Sequence, residues 1–179
     1  NLSIAFFDSA AIEAILMVAM TLAGIHFGVL YATITGRKNN IFRSTIVRTY
    51  IGMLVSVSVV IAISLFAEGI YDSFGEAMRY ATFQVVSYTT TTGFATADAN
   101  TWTPLAIVLL VFGSVICGCA GSTSGGMKVD RLFIACKVIT NRMRLQQHHS
   151  AVIRTKVDGT VQEESTLSLV MTFIVAYIM

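Results

Sequence analysis

The sequence predicts an all-α integral membrane protein. Of its 179 residues, 55% are hydrophobic and only 12% are charged, whereas about a quarter of the residues in soluble domains are charged. The apolar residues form long runs, and there is a single proline to interrupt them. Charged residues gather between the runs rather than within them. These three observations are typical of helices that cross a bilayer and exclude an ordinary soluble domain.

The charged residues predict which side of the membrane each loop faces. Between two basic blocks lies an acidic region with Glu68, Asp72, Glu76 and Asp98, where Arg79 is the only cation. Because basic loops stay on the cytoplasmic side, we expect both blocks inside and the acidic region outside. The blocks consist of Arg37, Lys38, Arg43 and Arg48, and of Lys128, Arg131, Lys137, Arg142, Arg144, Arg154 and Lys156.

The first two apolar runs predict two spans of opposite direction. Residues 10–35 form the first, from outside to inside, and a loop at 37–48 carries the first basic block. Residues 49–67 form the second, close to the roughly 20 residues that a hydrocarbon core needs. Glu13 near the outer end of the first span is expected to reach the interface, and His26 to hydrogen-bond between packed helices.

The region between Gly69 and Thr103 must start and end outside, yet it contains a helix signal. Asp72 or Ser73 can cap a helix over 73–87, with Glu76 in its first turn. At about 1.5 Å per residue this helix is too short to cross the membrane. Two interpretations remain open: an interfacial helix, or a re-entrant helix followed by a polar segment, 89–96, that returns outward. Non-helical backbone at that depth must line water or be buried in protein.

The third apolar run, 104–140, is too long for one span and contains a glycine-rich interruption. Thr103 and Pro104 predict its N-cap and first helical position. Residues 118–126 hold four glycines together with Ser122, Thr123 and Ser124. Glycines serve close helix packing as well, but this concentration with hydroxyls favours a loop exposed to water or ions. A phosphate-binding loop is excluded, because Met127 separates the last glycine from Lys128 and no strand precedes it.

Two further features of the sequence are its three cysteines and its two ends. Cys117 and Cys119 form a C-x-C pair without a second ligand pair, and Cys136 follows. We interpret all three as small buried apolar side chains rather than as a disulfide or a metal site. The chain begins at Asn1 and stops inside an apolar run, so we expect an internal piece of a longer protein.

The segment Ser-Tyr-Thr-Thr-Thr-Thr-Gly-Phe-Ala-Thr at 87–96 has the composition of an ion filter. A potassium ion exchanges its hydration water for rings of backbone carbonyls, supplied by several equivalent loops around one axis. Such a loop needs unusual dihedral angles, which Gly93 permits, and Phe94 can brace it from behind. Residues 91–95 are similar in kind to the Thr-Val-Gly-Tyr-Gly loop of potassium channels.

The filter-like segment and the sequence Cys-Gly-Cys-Ala-Gly-Ser-Thr-Ser-Gly-Gly-Met-Lys-Val at 117–129 together resemble the Trk/Ktr/HKT superfamily of potassium transporters. Within it they resemble the membrane subunits of bacterial Trk uptake systems. The resemblance implies four helix, re-entrant pore helix, helix (M1-P-M2) repeats around a pseudo-fourfold pore. The chain would hold the closing helix of one repeat (1–36), a complete repeat (46–140), a cytoplasmic link (141–164) and the start of the next repeat (165–179).

The same resemblance assigns roles to individual residues. The filter would comprise Thr90, Thr91, Thr92, Gly93 and Phe94, with potassium, the transported ion, at the carbonyls of Thr91 and Thr92. No resident cofactor is implied. The gate beneath the filter would comprise Gly118, Gly121, Ser122, Thr123, Ser124, Gly125 and Gly126.

The resemblance also implies location and partners: a multi-pass protein of the bacterial inner membrane, the remaining repeats, a homodimer and a cytoplasmic nucleotide-binding regulatory subunit, but no nucleic acid. The basic link 128–156 would face that subunit, or serve only as a cytoplasmic anchor. His148 and His149 within it are interpreted as a solvated turn. Arg79 is expected to pair with Asp72 or Glu76 of its own helix.

Three functions follow as hypotheses of different classes. The first is a passive potassium pore with a carbonyl filter and a glycine-rich gate. The second is a symporter coupled to sodium or protons, for which we would expect ionisable groups at mid-membrane; residues 49–67 and 104–117 contain no Asp, Glu, Lys, Arg or His. The third is a membrane enzyme or scaffold, which is disfavoured as an enzyme because no H-E-x-x-H or G-x-S-x-G motif is present.

Overall fold

The described part of the chain is helical, as the composition predicts. The computed structural model describes residues 4–7, 9–36, 41, 43–147, 156–157, 160–161 and 163–179. These contain seven α-helices, a single-turn 3₁₀ helix at Ile4–Phe7, another at Ala99–Thr101, and one two-stranded antiparallel hairpin. The all-α class is therefore confirmed.

The first apolar run is not one continuous helix, contrary to prediction. It forms α1, Ala10–Ala23, and α2, Phe27–Ile34, which meet at an angle of 105°. The break is stabilised locally, because Nδ1 of His26 accepts a hydrogen bond from the Gly28 amide at 2.8 Å and so caps α2. His26 is thus a helix cap, and it is exposed rather than buried between packed helices. We name residues 24–26 the α1–α2 break.

The next two helices begin at the polar side chains that favour helix starts. Helix α3, Thr45–Ala67, begins four residues before the predicted span, and its N-cap Ser44 accepts from the Val47 amide. Helix α4, Phe74–Thr89, begins after Ser73, whose hydroxyl accepts from the Glu76 amide at 3.1 Å. Of the two predicted caps the structure uses Ser73, and α4 continues two residues beyond the predicted end. Of the predicted loop 37–48, residues 37–40 and 42 lie outside the described residues.

The long third apolar run is broken where the glycines predict. Helix α5, Pro104–Ile116, has Thr103 as its N-cap and proline in its first turn, and the Thr103 hydroxyl lies 2.9 Å from that of Ser64 at the end of α3. Helix α6, Val129–Gln147, extends past the predicted boundary at residue 140. Strands β1, Lys156–Val157, and β2, Thr160–Val161, pair antiparallel before helix α7, Glu164–Ile178.

Helix α4 packs between α3 and α5 and also contacts α1. Its small residues Ala77 and Ala81 are fully buried, and so is Phe83 in the next turn. Small side chains allow helices to approach closely where both are apolar. The buried half of α4 ends at Thr89, so this packing fixes the position of the polar segment that follows.

Helix length separates the elements that can cross a bilayer from those that cannot. Helix α3 is long and apolar enough to span, and α1 and α2 together meet the same criterion as a bent pair. Helix α4 has 16 residues and α5 has 13, so each covers about 20–24 Å, less than the roughly 30 Å of a hydrocarbon core. Non-helical segments follow both short helices, and they form the candidate site.

Candidate functional site

The first segment of the site, residues 90–97, leaves the end of α4 in an unusual conformation. Thr90 caps the helix, and the chain then turns through Thr91 and Gly93, whose φ angles are 57° and 81°. Glycine reaches such angles without the penalty that a Cβ imposes. The Thr92 amide donates to the Ser87 carbonyl at 3.0 Å, which folds the turn back onto the helix end. We name residues 90–97 the filter segment.

Two buried polar side chains on α4 hold the filter segment from behind. The Ser87 hydroxyl donates to the Phe94 carbonyl at 2.6 Å, and the Gln84 amide donates to the Ala97 carbonyl at 2.6 Å. Both side chains are almost fully buried. Neither residue was among the predicted site residues, although a glutamine and a serine on either side of the apolar pair Val85 and Val86 were a signal for them.

The five predicted filter residues divide into exposed and buried groups. Thr91, Thr92 and Gly93 are consecutive and exposed, whereas Phe94 is half-buried against the core. Thr90 is buried, and its hydroxyl lies 2.8 Å from both the Val86 carbonyl and the Thr92 hydroxyl. The arrangement therefore exposes three successive residues on a supported turn.

The second segment of the site is the loop between α5 and α6, residues 117–128, which we name the intramembrane loop. Its two ends, Cys117 and Lys128, are non-glycine residues with φ of 62° and 78°. Backbone in this region is strained for residues with a side chain. The Lys128 ammonium group donates to the Ser124 carbonyl, which links the end of the loop to its middle.

Hydroxyl and carboxylate groups satisfy the backbone inside the intramembrane loop. The Ser124 hydroxyl accepts from the Gly118 amide at 3.0 Å and lies 2.8 Å from the Ser122 hydroxyl. A carboxylate oxygen of Asp130 accepts from the Ala120 amide at 2.5 Å. Cys117 and Cys119 are buried as predicted, but Cys136 is exposed on α6, so its predicted burial is wrong.

The intramembrane loop docks on the α1–α2 break, a contact that the sequence analysis missed. The Cys119 amide donates to the Gly24 carbonyl at 2.9 Å, and the Thr123 amide to the Ala23 carbonyl at 3.3 Å. In return, the Phe27 amide donates to the Gly121 carbonyl at 3.1 Å. The break leaves these backbone groups without partners in their own helices, and the loop supplies the partners.

The filter segment and the intramembrane loop also contact each other directly. The Gly125 amide donates to the Thr91 hydroxyl at 3.1 Å. The predicted filter and gate residues are therefore neighbours in space, and the side chain of Thr91 joins them. Of the remaining candidates, His148 and His149 lie outside the described residues.

At the start of α4, Arg79 pairs with Glu13 of α1. Its Nε and Nη2 atoms donate to the two carboxylate oxygens at 2.6 and 2.9 Å. The predicted pairing of Arg79 with Asp72 or Glu76 is wrong, because among the described residues its ion-pair partner is Glu13. The prediction that Glu13 reaches the interface is also wrong, because this residue is only 3% exposed. A bidentate pair across two helices outcompetes a single contact along one exposed helix face.

Aromatic residues cover the same end of α4. The Tyr71 and Tyr80 rings are stacked with their centroids 5.1 Å apart. Burial raises the pKa of the Tyr71 phenol, and a hydrogen bond with Trp102 partly offsets the rise. The loop before α4 and the loop after the filter segment are thereby held together.

Comparison with known proteins gives consistent matches along the chain. The family described as TrkH, cation transport protein, matches residues 1–179. The Trk system potassium uptake protein TrkH of Salmonella typhimurium is 33% identical over 98% of this chain, and that of Escherichia coli K12 is 32% identical over 98%. The crystal structure of the potassium transporter TrkH from Vibrio parahaemolyticus superimposes with a TM-score of 0.91 at 31% identity, covering 99% of this chain and 39% of that one. The chain spans about a third of the length of these curated relatives, at 36% of each.

Proposed function

The chain belongs to the TrkH family of cation transport proteins, and from this premise we propose that it forms one complete pore repeat of a potassium uptake protein. In this proposal α3, α4 and the broken pair α5–α6 are the M1-P-M2 repeat. Helices α1 and α2 close the preceding repeat, and α7 opens the next. Four such repeats surround the ion path in the bacterial inner membrane.

The exposed turn at Thr91, Thr92 and Gly93 carries this proposal. Its three residues are exposed, its glycine has a positive φ, and Ser87 and Gln84 hold the residues that follow it from the buried side. Carbonyl oxygens fixed in this way can replace the hydration shell of a potassium ion. One such turn supplies one quarter of each carbonyl ring, and the other repeats supply the rest.

We assign the gate to the intramembrane loop. It contacts the filter segment through Thr91 and Gly125, and it lies where a continuous α5–α6 helix would otherwise pass. The strained backbone at Cys117 and Lys128 supports this role, because strain is tolerated where a segment has a second conformation to adopt. Release of the loop from the α1–α2 break would open the path below the filter.

A passive pore fits the repeat better than a coupled carrier. A carrier that moves sodium or protons with potassium needs titratable groups along the path. The residues of α3 after Arg48 and all of α5 contain no Asp, Glu, Lys, Arg or His. Lys128 ends the intramembrane loop and Asp130 follows it, but both side chains are hydrogen-bonded to its backbone.

We also propose a homodimer and a cytoplasmic nucleotide-binding subunit that contacts the basic link after α6.

The test uses the full-length parent protein in liposomes, with rubidium, potassium and sodium uptake measured down imposed gradients. We expect passive uptake that favours potassium, and a lower potassium-to-sodium flux ratio in Gly93→Ser. Gly69→Ser is the matched control, since Gly69 has a φ of +70° and Gly93 of +81°, and an added Cβ meets nothing within 4 Å at either position. Uptake that requires a sodium or proton gradient would favour the symporter. A flux ratio in Gly93→Ser equal to that of Gly69→Ser would refute the filter assignment.

A further inference from the structure

The ion pair between Glu13 and Arg79 joins two helices that the proposed function places in different repeats. The residues are 66 positions apart, and two hydrogen bonds connect the guanidinium group to both carboxylate oxygens. A bidentate pair fixes orientation as well as distance, which a lysine or a single contact does not. The geometry therefore sets how α4 lies against α1.

Disturbing this pair costs free energy because Glu13 is buried. Glu13 is 3% exposed and Arg79 has a side-chain exposure of 31%. Carboxylates are almost never buried without a partner, and removing Arg79 would leave the buried Glu13 carboxylate without these two hydrogen bonds. A change at Glu13 therefore removes a bidentate contact that orients Arg79, and with it α4, against α1.

Helix α1 also contacts the other half of the candidate site. Glu13 lies in its first turn, and the carbonyls of Ala23 and Gly24 at its far end accept from the intramembrane loop. Those ten residues of helix cover about 15 Å. One rigid helix thus contacts α4, which carries the filter segment, and the loop that we assign as the gate.

A second contact links the N-terminal segment to the far side of the filter segment. The Ile4 amide donates to the Ala95 carbonyl at 2.8 Å. The N-terminal part of the chain therefore contacts this region at two places. Glu13 binds Arg79 in α4, and Ile4 binds Ala95 in the filter segment.

We propose that Glu13 and Arg79 are positioning residues that fix the filter segment relative to the intramembrane loop, and that the pair thereby controls ion selectivity. The proposal rests on the proposed function, which it extends to a residue outside the repeat that carries the filter. Neither residue contacts the ion. Both act through α1 and α4.

The experiment compares Glu13→Gln with Glu76→Gln in the full-length protein. Glu76 is the matched control, because it lies one turn from Arg79 on α4, is exposed, and loses the same charge on substitution. The first readout is hydrogen–deuterium exchange of peptides covering residues 90–97. The second is the potassium-to-sodium flux ratio in liposomes.

We expect Glu13→Gln to raise exchange in the filter segment and to lower the flux ratio, each by roughly fivefold, within the range that remote positioning residues exert. Glu76→Gln should match wild type in both. The double variant Glu13→Gln with Arg79→Gln should recover much of the loss, since two amides can pair. It is measured beside the single variant Arg79→Gln, and a loss in the double variant equal to the product of the two single losses would overturn the pairing.

Further outcomes separate this proposal from the proposed function. If the wild type shows no potassium-selective uptake, the proposed function is refuted. Faster hydrogen–deuterium exchange of residues 90–97 in Glu13→Gln would still support the positioning role in that case. Wild-type exchange and flux ratio in Glu13→Gln would overturn the positioning role alone. If Glu13→Gln does not fold, Glu13→Asp keeps the charge on a side chain shorter by one methylene. Wild-type behaviour of that variant in both readouts would equally overturn the proposal.

Discussion

Gly118→Ala offers the sharpest test of how the intramembrane loop is held. An added Cβ at residue 118 would lie 2.7 Å from the Gly24 carbonyl oxygen and 2.6 Å from the Ser124 hydroxyl oxygen. The first neighbour is backbone, so it cannot rotate away. Restoring ordinary contact at 3.4 Å requires the loop and the α1–α2 break to separate by about 0.7 Å.

That separation acts on the hydrogen bond that docks the loop. The Cys119 amide lies 2.9 Å from the same Gly24 carbonyl, and about 0.7 Å more would bring it to the distance at which a hydrogen bond is lost. Overpacking costs about 1–3 kcal/mol and the lost hydrogen bond about 0.5–1.5 kcal/mol. Even about 2 kcal/mol would lower the docked-to-released ratio roughly thirtyfold.

The measurement is basal rubidium uptake by the full-length protein in liposomes without any regulatory subunit. We expect Gly118→Ala to raise the basal flux. The control is Gly52→Ala in α3, where an added Cβ meets nothing within 4 Å and alanine favours the helix by up to about 1 kcal/mol. A folded Gly118→Ala protein with the basal flux of Gly52→Ala would refute both the docking and the assignment of the loop as the gate.

Two further predictions concern single hydroxyl groups of the site. Thr91→Val keeps the side-chain shape but removes the acceptor of the Gly125 amide, so basal flux should rise by about two- to tenfold for a loss of about 0.5–1.5 kcal/mol. Thr91→Ser should stay near wild type, and equal flux in the two variants would contradict the contact. Ser87→Ala leaves the Phe94 carbonyl without its buried donor, which costs about 1–3 kcal/mol and should lower both the melting temperature and the potassium-to-sodium flux ratio. Ser56→Ala, on an exposed face of α3, is the control, and matching flux ratios would show that Ser87 does not brace the filter.

Local signals predicted the elements that carry the site. Ser73 and Thr103 start helices because their hydroxyls accept amides three residues later, and this depends only on neighbouring sequence. The glycines after Ile116 predicted a break because helix propensity is also local. The positions of the two non-helical segments thus followed from composition and spacing, whereas their roles as filter and gate are implied by the family resemblance. The structure brings the two segments together through Thr91 and Gly125.

Contacts between distant residues were not predictable in the same way. Arg79 has Glu76 one turn away in the sequence, and nothing local distinguishes that carboxylate from Glu13. Only the packing of α4 against α1 decides between them. The α1–α2 break was missed for a related reason. Gly24 and His26 lie in an apolar run whose composition suffices for a span. Apart from the local cap by His26, the groups that stabilise the break come from the loop 94 or more residues later.

The missed contacts change where the functional unit begins. By sequence, a repeat starts with its first full span, and residues 1–36 belong to its predecessor. In the structure the intramembrane loop has its partners on Ala23, Gly24 and Phe27, and α4 has its ion-pair partner on Glu13. A segment that ended at the sequence boundary would leave Arg79 without its carboxylate and the loop without its docking carbonyls. On the proposed function, neither the position of the filter segment nor the docking of the gate loop is a property of a single repeat. Each would be set at the junction with the preceding repeat, and a change in the angle between two repeats would reach both segments together through α1.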